Sequence, residues 1–136
     1  MKRIFADTFY FLALVSRSDE AHVLAAEFAA EAGVRLVTTA WVLTELADGL
    51  AETGHRAEFA ALLRDLESDP DVDVLLPDES LWRRGISLYD SRPDKGWSLS
   101  DCISFIVMRD LNIADALTGD HHFEQAGFVA LLRSEI

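Results

Sequence analysis

Trp97-Ser98-Leu99-Ser100-Asp101-Cys102-Ile103-Ser104-Phe105-Ile106-Val107-Met108 is the stretch on which the reading of this chain turns. Ser98 stands three residues ahead of Asp101 and just before a run of large apolar side chains. That is the pattern of a capping box, and it sets an acid in the electropositive first turn of a helix. Five of the six residues from Ile103 to Met108 are apolar, too many for one stripe, so this helix is expected to be buried nearly all round with only its first turn wet. An acid held at the mouth of a buried helix is placed to meet acids from elsewhere in the chain.

Outward from that helix, short strand-like pieces alternate with amphipathic ones. Residues 3–6 read as a strand, ended by Asp7-Thr8, which opens a helix over 9–15. Ser18 or Asp19 caps the next helix, with Val23, Ala26, Phe28 and Ala30 as its apolar residues and Gly33 as its stop. Residues 34–37 form a second strand, and Thr38 or Thr39 opens a helix that runs through Glu52 and closes at Gly54. A helix over 56–67 carries Phe59, Leu62, Leu63 and Leu66; Val72, Val74 and Leu76 alternate as a strand; Pro77-Asp78 starts a helix with Leu81, Trp82, Ile86 and Leu88. After a loop over 91–96 comes the buried helix, then a strand over 116–118, a turn at Gly119-Asp120 and a closing strand over 128–131. Strands separated by helices predict an α/β fold, a parallel sheet layered with helices, and one domain over residues 1–136.

Half of the 136 residues are apolar, enough to bury a full core. No run of 18 apolar residues is present and the N-terminus lacks a long apolar region, so a chain without membrane span or signal peptide, in the cytoplasm, is expected. Cys102, the single cysteine, lies in the buried helix and reads as a small apolar residue. The formal charge of −12 is the reverse of a nucleic-acid binder's basic footprint. A phosphate-bearing substrate would need local positive charge, a bound metal or a basic partner.

In open parallel sheets, sites form at the carboxyl ends of strands and the adjoining helix starts. Asp7, Asp101 and Asp120 fall at such places, and Glu45 is a fourth candidate in the helix after the second strand. Gly49, one turn after Glu45, costs that helix about 1 kcal/mol relative to alanine, which points to a close approach there. Each acid alone has an ordinary explanation: Asp7 as a helix cap, Glu45 as a solvated helix acid, Asp101 as half of a capping box, Asp120 as turn chemistry. Their joint placement carries the case.

Phe5-Ala6-Asp7-Thr8-Phe9-Tyr10, Thr44-Glu45-Leu46-Ala47-Asp48-Gly49-Leu50, the segment from Trp97 to Phe105, and Ala116-Leu117-Thr118-Gly119-Asp120-His121-His122-Phe123 resemble, in order and separation, the acidic motifs of PIN-domain ribonucleases, a family that includes VapC-type toxins. The resemblance implies a three-layer fold and a metal-dependent endoribonuclease that leaves a 5′-phosphate and a 3′-hydroxyl. It implies that Asp7, Glu45, Asp101 and Asp120 are both catalytic and metal-binding around one or two Mg²⁺ or Mn²⁺ ions, with Thr8, Ser100 and Thr118 as supporting hydroxyls. Asp115 competes for the fourth place; Asp120 is preferred because it directly precedes His-His-Phe.

The chemistry agrees with the residue types. Crowded carboxylates raise one another's pKa unless a cation neutralises them, and all-oxygen donors select hard ions. Arg83, Arg84, Arg92 and Lys95 gather around the loop before the buried helix, with Arg92 and Lys95 as candidates to position RNA, although surface ion pairs explain such residues too. His121 and His122 read first as surface turn residues, with metal or substrate contact as the other reading, and Trp97 as an anchor against the core, with stacking on a base as its other reading. The family also implies a small antitoxin that inserts Arg or Lys among the acids, and a homodimer, for which Phe9, Tyr10 and Phe11 offer apolar surface, with a core role for most of them equally natural. Two alternatives belong to other classes: a catalytically silent PIN-fold binding module, and a Mg²⁺-dependent phosphotransfer domain, which would want Asp-x-Asp where the chain has Asp7-Thr8-Phe9.

Overall fold

The computed structural model describes residues 1–52 and 54–133; the last three residues of the expected domain, and Thr53, lie outside them. Among the described residues five strands, β1 (Lys2–Ala6), β2 (Val34–Thr39), β3 (Val72–Leu75), β4 (Asp115–Leu117) and β5 (Val129–Ala130), pair in parallel in the order β3-β2-β1-β4-β5. Parallel neighbours need crossovers. These are made by α1 (Thr8–Val15) with α2 (His22–Ala29), α3 (Ala40–Leu50) with α4 (Arg56–Ser68), α5 (Glu79–Ser91) with α6 (Leu99–Asp110), and α7 (His121–Gln125). The right-handed crossover rule sets the helices that lead from β1 to β3 on one face and those that lead back to β5 on the other, which gives three layers.

That topology creates the crevice. The chain leaves β1 toward β2 and β3, then returns past β1 to β4, and the reversal opens a gap at the carboxyl ends of β1 and β4. Ala6 pairs with Leu117 in the last register position, so Asp7 and Thr118 follow side by side.

The buried helix is α6. Ser98 accepts from the Asp101 N–H while Asp101 accepts from the Ser98 N–H, closing both halves of the capping box. Cys102, Ile103, Ser104, Phe105, Val107 and Met108 are buried, and Phe105 meets Trp97 and Phe123 edge-on with ring centroids 5.1 and 5.0 Å apart. Burial pushes the Cys102 thiol up to about 11, so thiolate chemistry is absent from its repertoire.

Several local expectations are corrected. In α2 Ala25 is buried and Phe28 packs against the core, while Val23 is 68% exposed and Ala26 and Ala30 face solvent. An Asp19 carboxylate oxygen accepts from the Ala21 N–H, so the helix begins later, at His22, and its apolar face is rotated. It stops at Ala29, and Gly33, at φ +81°, serves the turn into β2 instead. β2 runs two residues beyond its expected end, through the buried Thr38 and Thr39, and the Thr39 hydroxyl then caps α3 at Val42. α3 ends at Leu50 rather than Glu52, Leu76 lies exposed beyond β3, and Trp82 is largely exposed on α5.

Where a turn alone was expected at Gly119-Asp120, the Asp120 carboxylate accepts from the His122 N–H and starts α7. Of the two readings of Tyr10 and Phe11 the core one holds: both are buried in the core, and α1 packs against α2 and α3. The close approach inferred at Gly49 is also absent: an added Cβ there would meet nothing within 4 Å. It occurs at Gly85, where a Cβ would stand 2.5 Å from Ile103 Cγ1, so α5 and α6 touch through bare backbone.

Candidate functional site

Asp7 occupies the N-cap position of α1 yet makes no side-chain cap hydrogen bond. Its Oδ2 instead accepts from the Thr118 hydroxyl over 2.8 Å, and the Thr118 oxygen in turn accepts from the Asp120 N–H at 3.1 Å. The ends of β1 and β4 and the entry to α7 are thereby tied through one hydroxyl. Beneath them the Thr38 hydroxyl donates to the Ala6 carbonyl at 2.8 Å, fixing the strand end that delivers Asp7.

Electrostatics join the acids. Burial pushes the Asp7 carboxyl up to about 7; the Thr118 hydroxyl opposes this by favouring the charged form, while the charges of Asp101 and Glu45 add to it. Asp101 is also raised, first by burial and further by Asp120, against the restraint of the Ser98 cap and His122. Glu45 and Asp101 thus act on Asp7, and Asp120 acts on Asp101. Glu45 is exposed on α3, at the mouth. The four acids do not all crowd side by side. Among the described residues the group of acid and histidine side chains whose ligand atoms lie within 4.8 Å of one another is Asp120, His121 and His122.

His122 is turned inward rather than lying on the surface. Its Nδ1 lies 3.2 Å from an Asp120 oxygen and 3.4 Å from an Asp101 oxygen, is shielded from solvent and makes no hydrogen bond. The sequence leaves a surface turn and a metal or substrate contact both open here, and α7, which it does not show, is what aims the ring inward.

The remaining candidates are placed as follows. Thr8 is buried, with its hydroxyl reaching the Val42 carbonyl at 3.4 Å, and Ser100 is half-buried in the first turn of α6. Asp115 stands at the amino end of β4, paired with Lys2, away from the crevice. Arg84 is engaged with Asp110 and Arg83 lies 3.9 Å from Glu79. Arg92 is held by Asp94 and lies over the buried Trp97 ring at 5.2 Å. Trp97 donates to Gln125, so it does anchor the loop. Arg92 and Lys95 line an open cavity of about 840 Å³ with Tyr89, Gly96 and Ser98. It adjoins the acids: Ser98 caps Asp101, and a Cβ on Gly96 would stand 3.6 Å from His122 Nε2.

The PIN domain family model matches residues 4–129. Among solved structures, VapC20 of Mycobacterium tuberculosis, a toxin that cleaves the sarcin-ricin loop, superposes with a TM-score of 0.83 at 27% identity, over 93% of this chain and 96% of that one. FitAcB from Neisseria gonorrhoeae shares the fold, with a TM-score of 0.61 at 19% identity over 93% and 94% of the two chains. No curated protein matches the sequence. The match runs from β1 into β5 and takes in every helix between them; this chain belongs to the PIN domain family.

Proposed function

We propose that this chain is a divalent-metal-dependent endoribonuclease, the toxin of a toxin–antitoxin pair, with Asp7, Glu45, Asp101 and Asp120 as its catalytic and metal-binding acids. One observation carries the reading. Asp7 is buried within reach of the Asp101 and Glu45 charges, yet among the described residues no lysine or arginine pairs with any of the four acids. A buried carboxylate among other acids lacks a counter-charge, and this oxygen-rich donor set fits a hard dication, Mg²⁺ or Mn²⁺. When bound, such an ion supplies a nucleophile from water at neutral pH and stabilises charge developing on the phosphorus oxygens.

The chain's own residues do the positioning. Thr118 holds one Asp7 oxygen and biases the carboxyl toward its charged form. Ser98 fixes Asp101 through the capping box, and the Thr118 hydroxyl fixes the backbone that carries Asp120. Glu45, at the exposed edge, completes the set from the far side. Thr8 and Ser100 stand as supporting hydroxyls at the starts of α1 and α6. An RNA strand is placed in the cavity beside Asp101, with Lys95 and Arg92 against its phosphates.

The likeness to VapC20 supports the toxin reading and makes the sarcin-ricin loop the first substrate to try. The toxin reading brings with it a small antitoxin presenting Arg or Lys to the acids. A second copy of the chain as partner also fits, on a surface other than Tyr10 and Phe11. No helix among the described residues is long and apolar enough to cross a membrane. The test is cleavage of RNA by purified protein with Mg²⁺ or Mn²⁺, compared with Asp7→Asn and Asp101→Asn variants of unchanged circular dichroism. Cleavage that survives in both variants, or no cleavage of any RNA with either ion, overturns the assignment, the second outcome in favour of a PIN-fold binding module.

A further inference from the structure

We infer that His122 is itself a metal ligand, and that it gives this centre a preference for a first-row transition dication over Mg²⁺. The inference rests on the metal centre proposed above and adds a nitrogen donor to it. His122 Nδ1 sits between two carboxylates, 3.2 Å from Asp120 Oδ1 and 3.4 Å from Asp101 Oδ2. With ligand atoms about 2.0–2.2 Å from an ion, neighbouring donors stand roughly 3.0–3.5 Å apart, which is the spacing seen. The same nitrogen is buried and, with two carboxylates at ion-pair distance, still makes no hydrogen bond, a condition that calls for an explanation. A coordinated ion is one. The other ring nitrogen, Nε2, faces the loop at Gly96, so a ring protonated there presents the Nδ1 lone pair to the acids.

The fold maintains this aim independently of any ion. Asp120 holds the His122 N–H, and Phe123, the next residue, is fully buried against Phe105. The ring therefore projects from a short helix fixed at both sides. His121 lies beside it, with ring centroids 4.3 Å apart and its Nδ1 3.6 Å from Asp120 Oδ1, but its side chain is 56% exposed and it has no shielded nitrogen. Mg²⁺ keeps to oxygen donors, whereas imidazole suits transition ions, so a buried imidazole nitrogen shifts the selection between them.

The experiment titrates the full chain with Mn²⁺ alone and Mg²⁺ alone by calorimetry, and records pulsed electron paramagnetic resonance of the Mn²⁺ complex. The wild-type complex is expected to show ¹⁴N coupling from an imidazole, present still in His121→Asn and lost in His122→Gln. Mn²⁺ affinity should fall about tenfold or more in His122→Gln while Mg²⁺ affinity changes less than about threefold. A wild-type Mn²⁺ complex without ¹⁴N coupling overturns the inference, as does coupling that survives in His122→Gln. The wild-type spectrum needs no variant to fold. If that complex lacks nitrogen coupling but Asp7→Asn abolishes binding, the acid centre stands without His122; if neither ion binds, both readings fall.

Discussion

The Thr118 hydroxyl donates to Asp7 Oδ2 over 2.8 Å, joining residues 111 positions apart. This contact draws a helix-capping aspartate toward the end of β4: its carboxyl makes no cap hydrogen bond and is held instead by the Thr118 hydroxyl. A hydrogen bond to the charged form favours ionisation. Thr118→Val is therefore expected to raise the Asp7 pKa above its already elevated value near 7, and to move the acidic limb of the pH–cleavage profile upward. Thr118→Ser should leave both unchanged. Carboxyl ¹³C titration of the metal-free protein measures the first effect directly; an Asp7 pKa that falls in Thr118→Val would show that the contact does not favour the charged form.

The same carboxyl makes stability depend on pH in an unusual direction. Asp7 titrates near 7 in the fold against 3.8 as its ordinary value, so between those pH values the native state holds the extra proton. Stability should accordingly fall as pH rises from about 4 to about 7 and level off above. In chelator, Asp7→Asn should be more stable than wild type at pH 8 by on the order of 1–4 kcal/mol and equal to it near pH 4. Added Mn²⁺ should close the gap at pH 8 by binding only the native wild type. Denaturant melts across this range give the answer, and an Asp7→Asn variant less stable than wild type at pH 8 without metal would contradict it.

What the sequence disclosed and what it concealed divide along physical lines. The capping box at Ser98 and Asp101 and the burial of α6 were legible because local spacing and apolar density determine them. Asp7, Asp101 and Asp120 were legible as a set because parallel topology brings strand ends together whatever the loops do. The Asp7–Thr118 bond and the shielded His122 nitrogen were not, since each depends on side-chain direction in two elements at once. The rotated face of α2 was missed for a similar reason: an Asp19 turn shifts the start of the helix, and Val23 then faces water.

The two helical glycines make the point energetically. Gly49 lies on an open face, and Gly85 lies where α5 meets Ile103 of α6. Gly49→Ala is expected to stabilise by up to about 1 kcal/mol through helix propensity. Gly85→Ala gains the same propensity but must displace a buried Ile103 carbon at 2.5 Å, and overpacking of this kind costs about 1–3 kcal/mol. The net effect should be destabilising, and relieved in an Ile103→Ala background, which removes that carbon. Opposite signs at the two positions in urea melts are the expected result; stabilisation by Gly85→Ala would mean that α6 yields freely, and with it the element that carries Asp101.

Lys95 tests where RNA enters. An acidic protein must hold phosphate with the few cations near its site, and of the two on the cavity rim Arg92 is already engaged by Asp94 and the Trp97 ring. Among the described residues Lys95 has no ion pair, so its charge is available to a phosphate without first breaking a contact. Lys95→Ala should weaken RNA binding, raise KM more than it lowers kcat, and reduce the slope of log affinity against log salt by about 0.7, the release of one counterion from a single strand. Arg92→Ala should act differently, because it frees the loop and exposes Trp97, lowering stability as well as binding. Fluorescence anisotropy with a metal-free Asp101→Asn background separates binding from cleavage. An unchanged salt slope in Lys95→Ala would place the strand elsewhere on the surface.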